Sequence, residues 1–314
     1  MIDLSYIIAD IKFELETFLQ NSGIYYRIFA RQKSSFSISR KLEKKGKEYR
    51  NKKKKMQDII GVRIVLYFMD DVDILNDFLH QQPRFLDDST SLEDLRKAQM
   101  LDHQIENLSE KMFMPTRLNL IFRMENKHGE MLQRQLELDK NIDSSLIDDT
   151  YEIQIRTVLS EGWHEVEHDL RYKSKDEQWW SECEDESRML NGIYATLETS
   201  ERALQQIFSS IAYKNYKSKE WSAMMRNHLR IHTQDVCLSP SILNVLNGDV
   251  ELAKAIFRVP RNKILDFLLN LKKPFPLKMD NLLFLVNRLS CNNKTIIELE
   301  SEPIKIILSK LFKR

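Results

Sequence analysis

Residues 151–173 read YEIQIRTVLSEGWHEVEHDLRYK. The first part is a strand: Glu152, Gln154 and Arg156 recur with a period of two and project to one face. The strand reads as TYEIQIRTVL, 150–159, and from Ser160 the spacing becomes helical. Inside that helix lies His164-Glu165-Val166-Glu167-His168, an H-E-x-x-H string in which two histidines one turn apart hold zinc and the glutamate activates water. A catalytic zinc needs a third protein ligand. The extended form with a further Gly and His is absent, because the string continues as DLRYKSKDEQWW. Glu182 or Glu184 lies downstream, but acids are so common in this chain that neither is informative. The competing reading is a polar helix that carries two histidines by chance.

Working outward, DIIGVRIVLYF (58–68) is rich in β-branched residues and reads as a buried strand. TRLNLIFRM (116–124) alternates and reads as another. Residues 3–20 form an opening helix, a capped helix starts near Ser34 or Ser35, and DDVDILNDFLHQQ follows the first strand as a helix. From Ser160 onward helical spacing dominates, with Met189, Leu190, Ile193, Tyr194, Leu197, Leu204 and Ile207 as an apolar stripe. Pro240 and a polar cluster interrupt the pattern near 232–240. The expectation is an α/β (α+β) domain over 1–232, a mixed sheet flanked by helices, and an all-helical domain over 233–314.

The chain has 314 residues and a net charge of +1, with 42% hydrophobic and 30% charged residues, enough for a core and a solvated surface. That balance hides a local asymmetry. RKLEKKGKEYRNKKKKM (40–56) has ten Lys/Arg against two Glu, which suits polyanions as well as a solvated loop. Three scattered cysteines without a C-x-x-C pair point to thiols in a reducing compartment. The N-terminus carries acids through its apolar stretch, unlike a signal peptide. No run approaches the roughly 18–20 apolar residues of a membrane span. The expected location is cytoplasmic, with no membrane.

The string at 151–173 closely resembles the signature of RelA/SpoT-type nucleotide pyrophosphokinases: E-[IV]-Q-[IL]-R-T, then W, then E-H and Y-K. In that pattern Glu167-His168 are family positions and His164 is not. ARQKSSFSISRK fits the family's R-x-K-x-x-x-S-x-x-x-K through Arg31, Lys33, Ser37 and Lys41, and DIIGVRIV fits D-[IL]-x-G-x-R through Asp58, Gly61 and Arg63. The three motifs cover about residues 20–175. The resemblance implies a nucleotidyltransferase-like synthetase fold that moves pyrophosphate from ATP to a ribose 3′-hydroxyl with Mg²⁺. It implies that Asp58 and Glu152 hold the metal, with Glu152 also activating the acceptor hydroxyl. Arg31 and Arg63 would sandwich the adenine, while Lys33, Ser37 and Lys41 would hold the phosphates. Gln154, Arg156, Arg117, Asn119 and His168 fall on the acceptor side; His168, Tyr172 and Lys173 fit a cap and packing role equally well. Two strand carboxylates can share one Mg²⁺, which prefers oxygen ligands; the alternative for them is salt bridges with nearby arginines.

The acceptor strand departs from the family. Relatives that use GDP or GTP read G-Y-R-S-L-H-L there, and the tyrosine stacks on guanine. With Leu118 aligned to the family leucine, Pro115 replaces that tyrosine and Asn119 the histidine. Phe113 and Tyr151 are the substitutes to test. The acceptor is therefore a purine nucleotide, giving an alarmone, or the 3′ end of tRNA, giving a translation-blocking toxin of toxin–antitoxin or phage-defence type. A silent nucleotide-binding regulator is the further alternative. About 20 residues precede the first motif, so no built-in hydrolase domain is expected. Residues 233–314 resemble nothing nameable; a regulatory bundle for an antitoxin or trigger protein is expected there, ahead of a faint helix-turn-helix reading, and a homo-oligomer is compatible. Trp179, Trp180 and Trp221 read as packing anchors.

Overall fold

The computed structural model describes residues 2–51, 55–88, 118–172 and 183–312. Contacts divide the chain into two units, Met1–Glu16 with Tyr26–Ser200, and Thr17–Tyr25 with Glu201–Arg314. The division falls inside a long helix, ahead of the polar break near 232–240 that the sequence offers as a boundary. An uninterrupted helical period leaves no mark where a helix passes from one core to another.

The first unit is built on a five-stranded mixed sheet in the order β1-β2-β5-β4-β3. Its strands are β1 (Tyr26–Gln32), β2 (Ile60–Leu66), β3 (Phe85–Asp88), β4 (Leu118–Arg123) and β5 (Thr150–Thr157). β2 and β5 pair parallel at the centre, and the other neighbours are antiparallel. The strands expected at 58–68, 116–124 and 150–159 are β2, β4 and β5. Two edge strands, β1 and β3, were not anticipated. Helices α1 (Ser5–Ser22), α2 (Ser35–Asn51), α3 (Met69–His80), α4 (Asn126–Glu137) and α5 (Val158–Glu167) surround the sheet, with a π-type turn over His168–Tyr172.

Period-two alternation fixes the two sheet faces. Ile28, Val62, Ile64, Leu120, Ile153 and Ile155 are buried and form the core face, against which α3 packs on β2 and β5. The opposite face carries Arg31, Gly61 and Glu152 in one cross-strand row and Phe29, Arg63, Gln154 and Asn119 in the next. α5 starts where β5 ends because Thr157 accepts a hydrogen bond from the Ser160 N–H while Ser160 Oγ accepts from the Thr157 N–H, a reciprocal capping box. Trp163 then anchors α5: its Nε1 donates to Leu190 O at 2.8 Å, and its ring packs 4.8 Å from Tyr194.

Leu190 and Tyr194 come from α6 (Glu184–Lys217). The apolar stripe expected there is only partly buried: Leu190 and Tyr194 are in the core, whereas Met189, Ile193, Leu204 and Ile207 are exposed.

The second unit is helical, with α7 (Trp221–Leu229), α8 (Pro240–Gly248), α9 (Val250–Phe257), α10 (Arg261–Leu269), α11 (Met279–Val286), α12 (Lys294–Glu298) and α13 (Glu302–Leu311). Its core includes Trp221, Met224, Ile242, Ile256, Ile264 and Leu283. Trp221 is a packing residue, its Nε1 donating to Asn247 Oδ1 at 2.8 Å; Trp179 and Trp180 lie outside the described residues. Gly23 ends α1 with φ +71°, and a Cβ there would come within 2.5 Å of Ile231 Cγ2, so both conformation and space require glycine. Among the described residues no helix is long and apolar enough to cross a membrane.

Candidate active site

A cavity of about 860 Å³ opens on the polar sheet face. β1 contributes Arg31, β2 contributes Arg63, and β5 contributes Glu152, Gln154 and Arg156 to its lining. Lys33, Ser34 and Ser37 line it where β1 gives way to α2, and Asp58, Asn119 and His168 complete the expected set. Lys41 reaches the same place by pairing with Asp58. Residues expected from three separate motifs thus converge on one surface. Arg117, Lys173, Phe113 and Pro115 lie outside the described residues, as do Lys52, Lys53 and Lys54. Tyr151 is buried on the opposite sheet face, 5.7 Å from Phe122, so it does not replace the missing tyrosine in the cavity.

Asp58 is not on a strand, as the sequence had implied; it precedes β2, where the backbone arriving from α2 turns into the sheet. Its Oδ2 accepts from Lys33 Nζ at 2.6 Å and Lys41 Nζ at 2.7 Å. Burial alone would raise its pKa, but the two ammonium groups outweigh burial and hold the carboxyl below the usual carboxylate value. Asp58 Oδ1 is buried without a hydrogen-bond partner. Burial in turn holds the Lys33 ammonium below its usual range, with Asp58 opposing.

Glu152 is the contrasting carboxylate. Burial pushes its pKa up, Gln154 opposes this as a donor, and the nearby Asp58 adds to the rise. Gln154 Nε2 donates to Glu152 Oε2 at 2.8 Å. Among the described residues neither acid forms a salt bridge with arginine: the partners of Asp58 are lysines and that of Glu152 is an amide. The orphaned Asp58 Oδ1 and the desolvated Glu152 carboxyl are hard oxygen donors on one wall, a set that fits Mg²⁺ completed by substrate phosphates and water. Among the described residues no group of three or more His, Cys, Asp and Glu is placed to hold a metal by itself. The zinc reading fails on side-chain placement. His164 is buried, 5.2 Å from the Trp163 ring and 5.8 Å from that of Tyr194, while His168 belongs to the turn beyond α5 and lines the cavity.

At the phosphate-binding candidates, the Ser34 hydroxyl accepts from the Ser37 N–H at 3.2 Å in an N-cap arrangement. The first turn of α2 thus begins at the cavity, where Ser34 and Ser37 line it, and the positive end of the helix dipole lies there. Sequence reasoning missed several lining residues, Phe29 and Glu161 among them. Phe29, directly opposite Arg63 in the β1–β2 register, is 54% exposed. Glu161, in the first turn of α5, accepts from Arg63 Nη1 at 2.6 Å and Arg156 Nη1 at 3.0 Å. Its signal was one acid among many on a helix.

Fold and motif order together define the class: a transferase domain of the nucleotide pyrophosphokinase type. The chain's residues 30–177 match the family model described as the region found in RelA / SpoT proteins. Among solved structures, the chain is similar to small alarmone synthetase 1 from Bacillus subtilis, at 18% identity over 66% of this chain and 94% of that one, TM-score 0.44. Small alarmone synthetase 2 from the same organism matches at 20% identity over 65% and 94%, TM-score 0.43. A GTP pyrophosphokinase family protein from Streptococcus pneumoniae matches at 20% over 63% and 86%, TM-score 0.41. No curated protein matches the sequence.

Proposed function

We propose that the chain transfers pyrophosphate from ATP to the ribose 3′-hydroxyl of a purine nucleotide. The observation that carries this reading is the division of labour between two half-buried carboxyls. Asp58 is held ionised by Lys33 and Lys41, while Glu152 is made more basic than an ordinary glutamate. A poised base beside cations is what attack by a hydroxyl on a phosphoryl group requires.

In this account Arg31 and Arg63 take the adenine between planar guanidinium faces, and the Phe29 ring adds an apolar wall at the same end. Lys33, Lys41, Ser37 and the α2 N-terminus take the phosphates. Asp58 Oδ1 and Glu152 would hold Mg²⁺, which supplies charge neutralisation on the phosphoryl oxygens. Glu152 accepts the proton of the acceptor hydroxyl. A bond forms between the acceptor oxygen and the β-phosphorus, the bond from that phosphorus to the α,β-bridging oxygen breaks, and AMP departs. Gln154 orients Glu152, and Asn119 and His168 face the acceptor. The cytoplasm is the compartment that fits these substrates.

A second reading, modification of the tRNA 3′ end by a toxin or phage-defence effector, is favoured by the burial of Tyr151 on the far face of the sheet and by the basic α2. Incubation with Mg²⁺ and ATP alongside GDP, GTP, AMP, ATP or deacylated tRNA separates the two. Product on a purine nucleotide is expected. Product on tRNA alone would replace the alarmone reading with the toxin reading, and product on neither would leave a nucleotide-binding regulator.

A further inference from the structure

Arg63 and Arg156 project from neighbouring strands onto one cavity wall, and both are largely desolvated, with side chains 20% and 15% exposed. Burial pushes the pKa of Arg156 down, and the charge of Arg63 pushes it further. Left alone, two such cations would splay apart and would together form a strong anion site. α5 prevents both. Glu161 gives one carboxylate oxygen to each guanidinium, Oε1 to Arg63 at 2.6 Å and Oε2 to Arg156 at 3.0 Å. One turn further on, Glu165 also accepts from Arg63, and its Oε1 lies 3.7 Å from Arg156. Gln154 Oε1 bridges the pair from below, accepting from Arg63 Nε at 3.4 Å and Arg156 Nη2 at 3.2 Å.

Guanidinium N–H groups lie in the plane of the group, so these bonds grip its edges and leave its faces for stacking. Two arginines and two glutamates also sum to zero charge. At the other end of the cavity, Lys33, Lys41 and Arg31 accompany the two carboxyls of Asp58 and Glu152, an excess of one positive charge. We infer that Glu161, assisted by Glu165, is a positioning residue that sets the plane of Arg63 and neutralises this end of the cavity, so that it accepts a flat base and leaves the phosphates to the lysine end. The inference rests on the proposed binding of ATP in this cavity.

The test compares wild type, Glu161→Gln, Glu161→Asp, Glu165→Gln, Arg63→Ala and the Arg63→Ala/Glu161→Gln double variant. Affinity for a non-hydrolysable ATP analogue and inhibition of that binding by inorganic pyrophosphate are measured, with thermal melting as a check on folding. Glu161→Gln is expected to weaken the analogue about tenfold, the scale of a charge-assisted hydrogen bond, with partial recovery in Glu161→Asp. Pyrophosphate should compete more strongly in Glu161→Gln than in wild type, an effect that loss of packing would not produce. The double variant should bind no worse than Arg63→Ala, showing that Glu161 acts through Arg63. Glu165→Gln, at a side chain 57% exposed, keeps the fold intact and should move pyrophosphate competition in the same direction. Unchanged analogue affinity in Glu161→Gln, or additive losses in the double variant, would overturn the inference alone. Wild-type protein that does not bind the analogue would overturn the proposed function and this inference together.

Discussion

At the scale of single residues, Glu152 and Lys33 make the pH dependence of the reaction predictable. Glu152 must be ionised to accept a proton, and its pKa is raised above the ordinary 4.5 by burial first and Asp58 after. The acid limb of the kcat profile should therefore lie above the ordinary glutamate range, with activity rising as pH rises through it. Lys33 must be charged to hold phosphate, and burial lowers it from 10.5, so the alkaline limb should begin earlier than for an ordinary lysine, with activity falling as pH rises. Initial rates across pH at saturating ATP check both limbs; an acid limb at the ordinary glutamate value would remove Glu152 as the base. Most of these residues were legible in the sequence because each sits at a fixed offset inside a motif. Glu161 was not, since its meaning depends on Arg63, 98 residues away. Asp58 was legible as an acid but misplaced on a strand, because the apolar run after it starts abruptly. Tyr151, next to Glu152 on β5, faces the opposite side of the sheet by the period of two and so offers no platform in the cavity.

At the scale of elements, β2 shows how a strand positions chemistry by leaving something out. Gly61 lies in register between Arg31 on β1 and Glu152 on β5, and a Cβ built there meets no atom within 4 Å. Glycine inside a central strand sacrifices packing and backbone stability, so the open floor it creates is its use. Gly61→Val should fold with an unchanged or higher melting temperature, because valine favours strand. It should also weaken binding of an ATP analogue roughly tenfold or more, by placing two methyl groups where the ligand lies. Unchanged affinity in a folded Gly61→Val would mean that the ligand does not cross this floor. The central strands were readable because their β-branched runs are long. β1 was not: Ile28 and Ala30 face the core while Arg27 and Arg31 face out, but Phe29 shares the outward face and breaks the apolar–polar alternation. The ring that hid the strand is on the cavity wall. The H-E-x-x-H string misled for a related reason, since a helical spacing does not reveal that His164 is committed to Trp163 and Tyr194 in the core.

At the scale of the whole molecule, the first unit holds every described residue of the cavity and the second holds a helical core of its own. α6 hid this division from the sequence, because its helical period runs on without a break. The central claim is that the cavity moves pyrophosphate from ATP with Glu152 as base, and it is tested most directly by following ATP labelled in its β-phosphate, with Mg²⁺ and the acceptor panel, in wild type and Glu152→Gln. The account predicts label on a purine nucleotide with equimolar release of AMP. It predicts loss of transfer in Glu152→Gln by about two orders of magnitude or more, as expected for removing a general base, with ATP binding retained. Transfer that survives Glu152→Gln, or release of labelled inorganic phosphate in place of an AMP-coupled product, would contradict it.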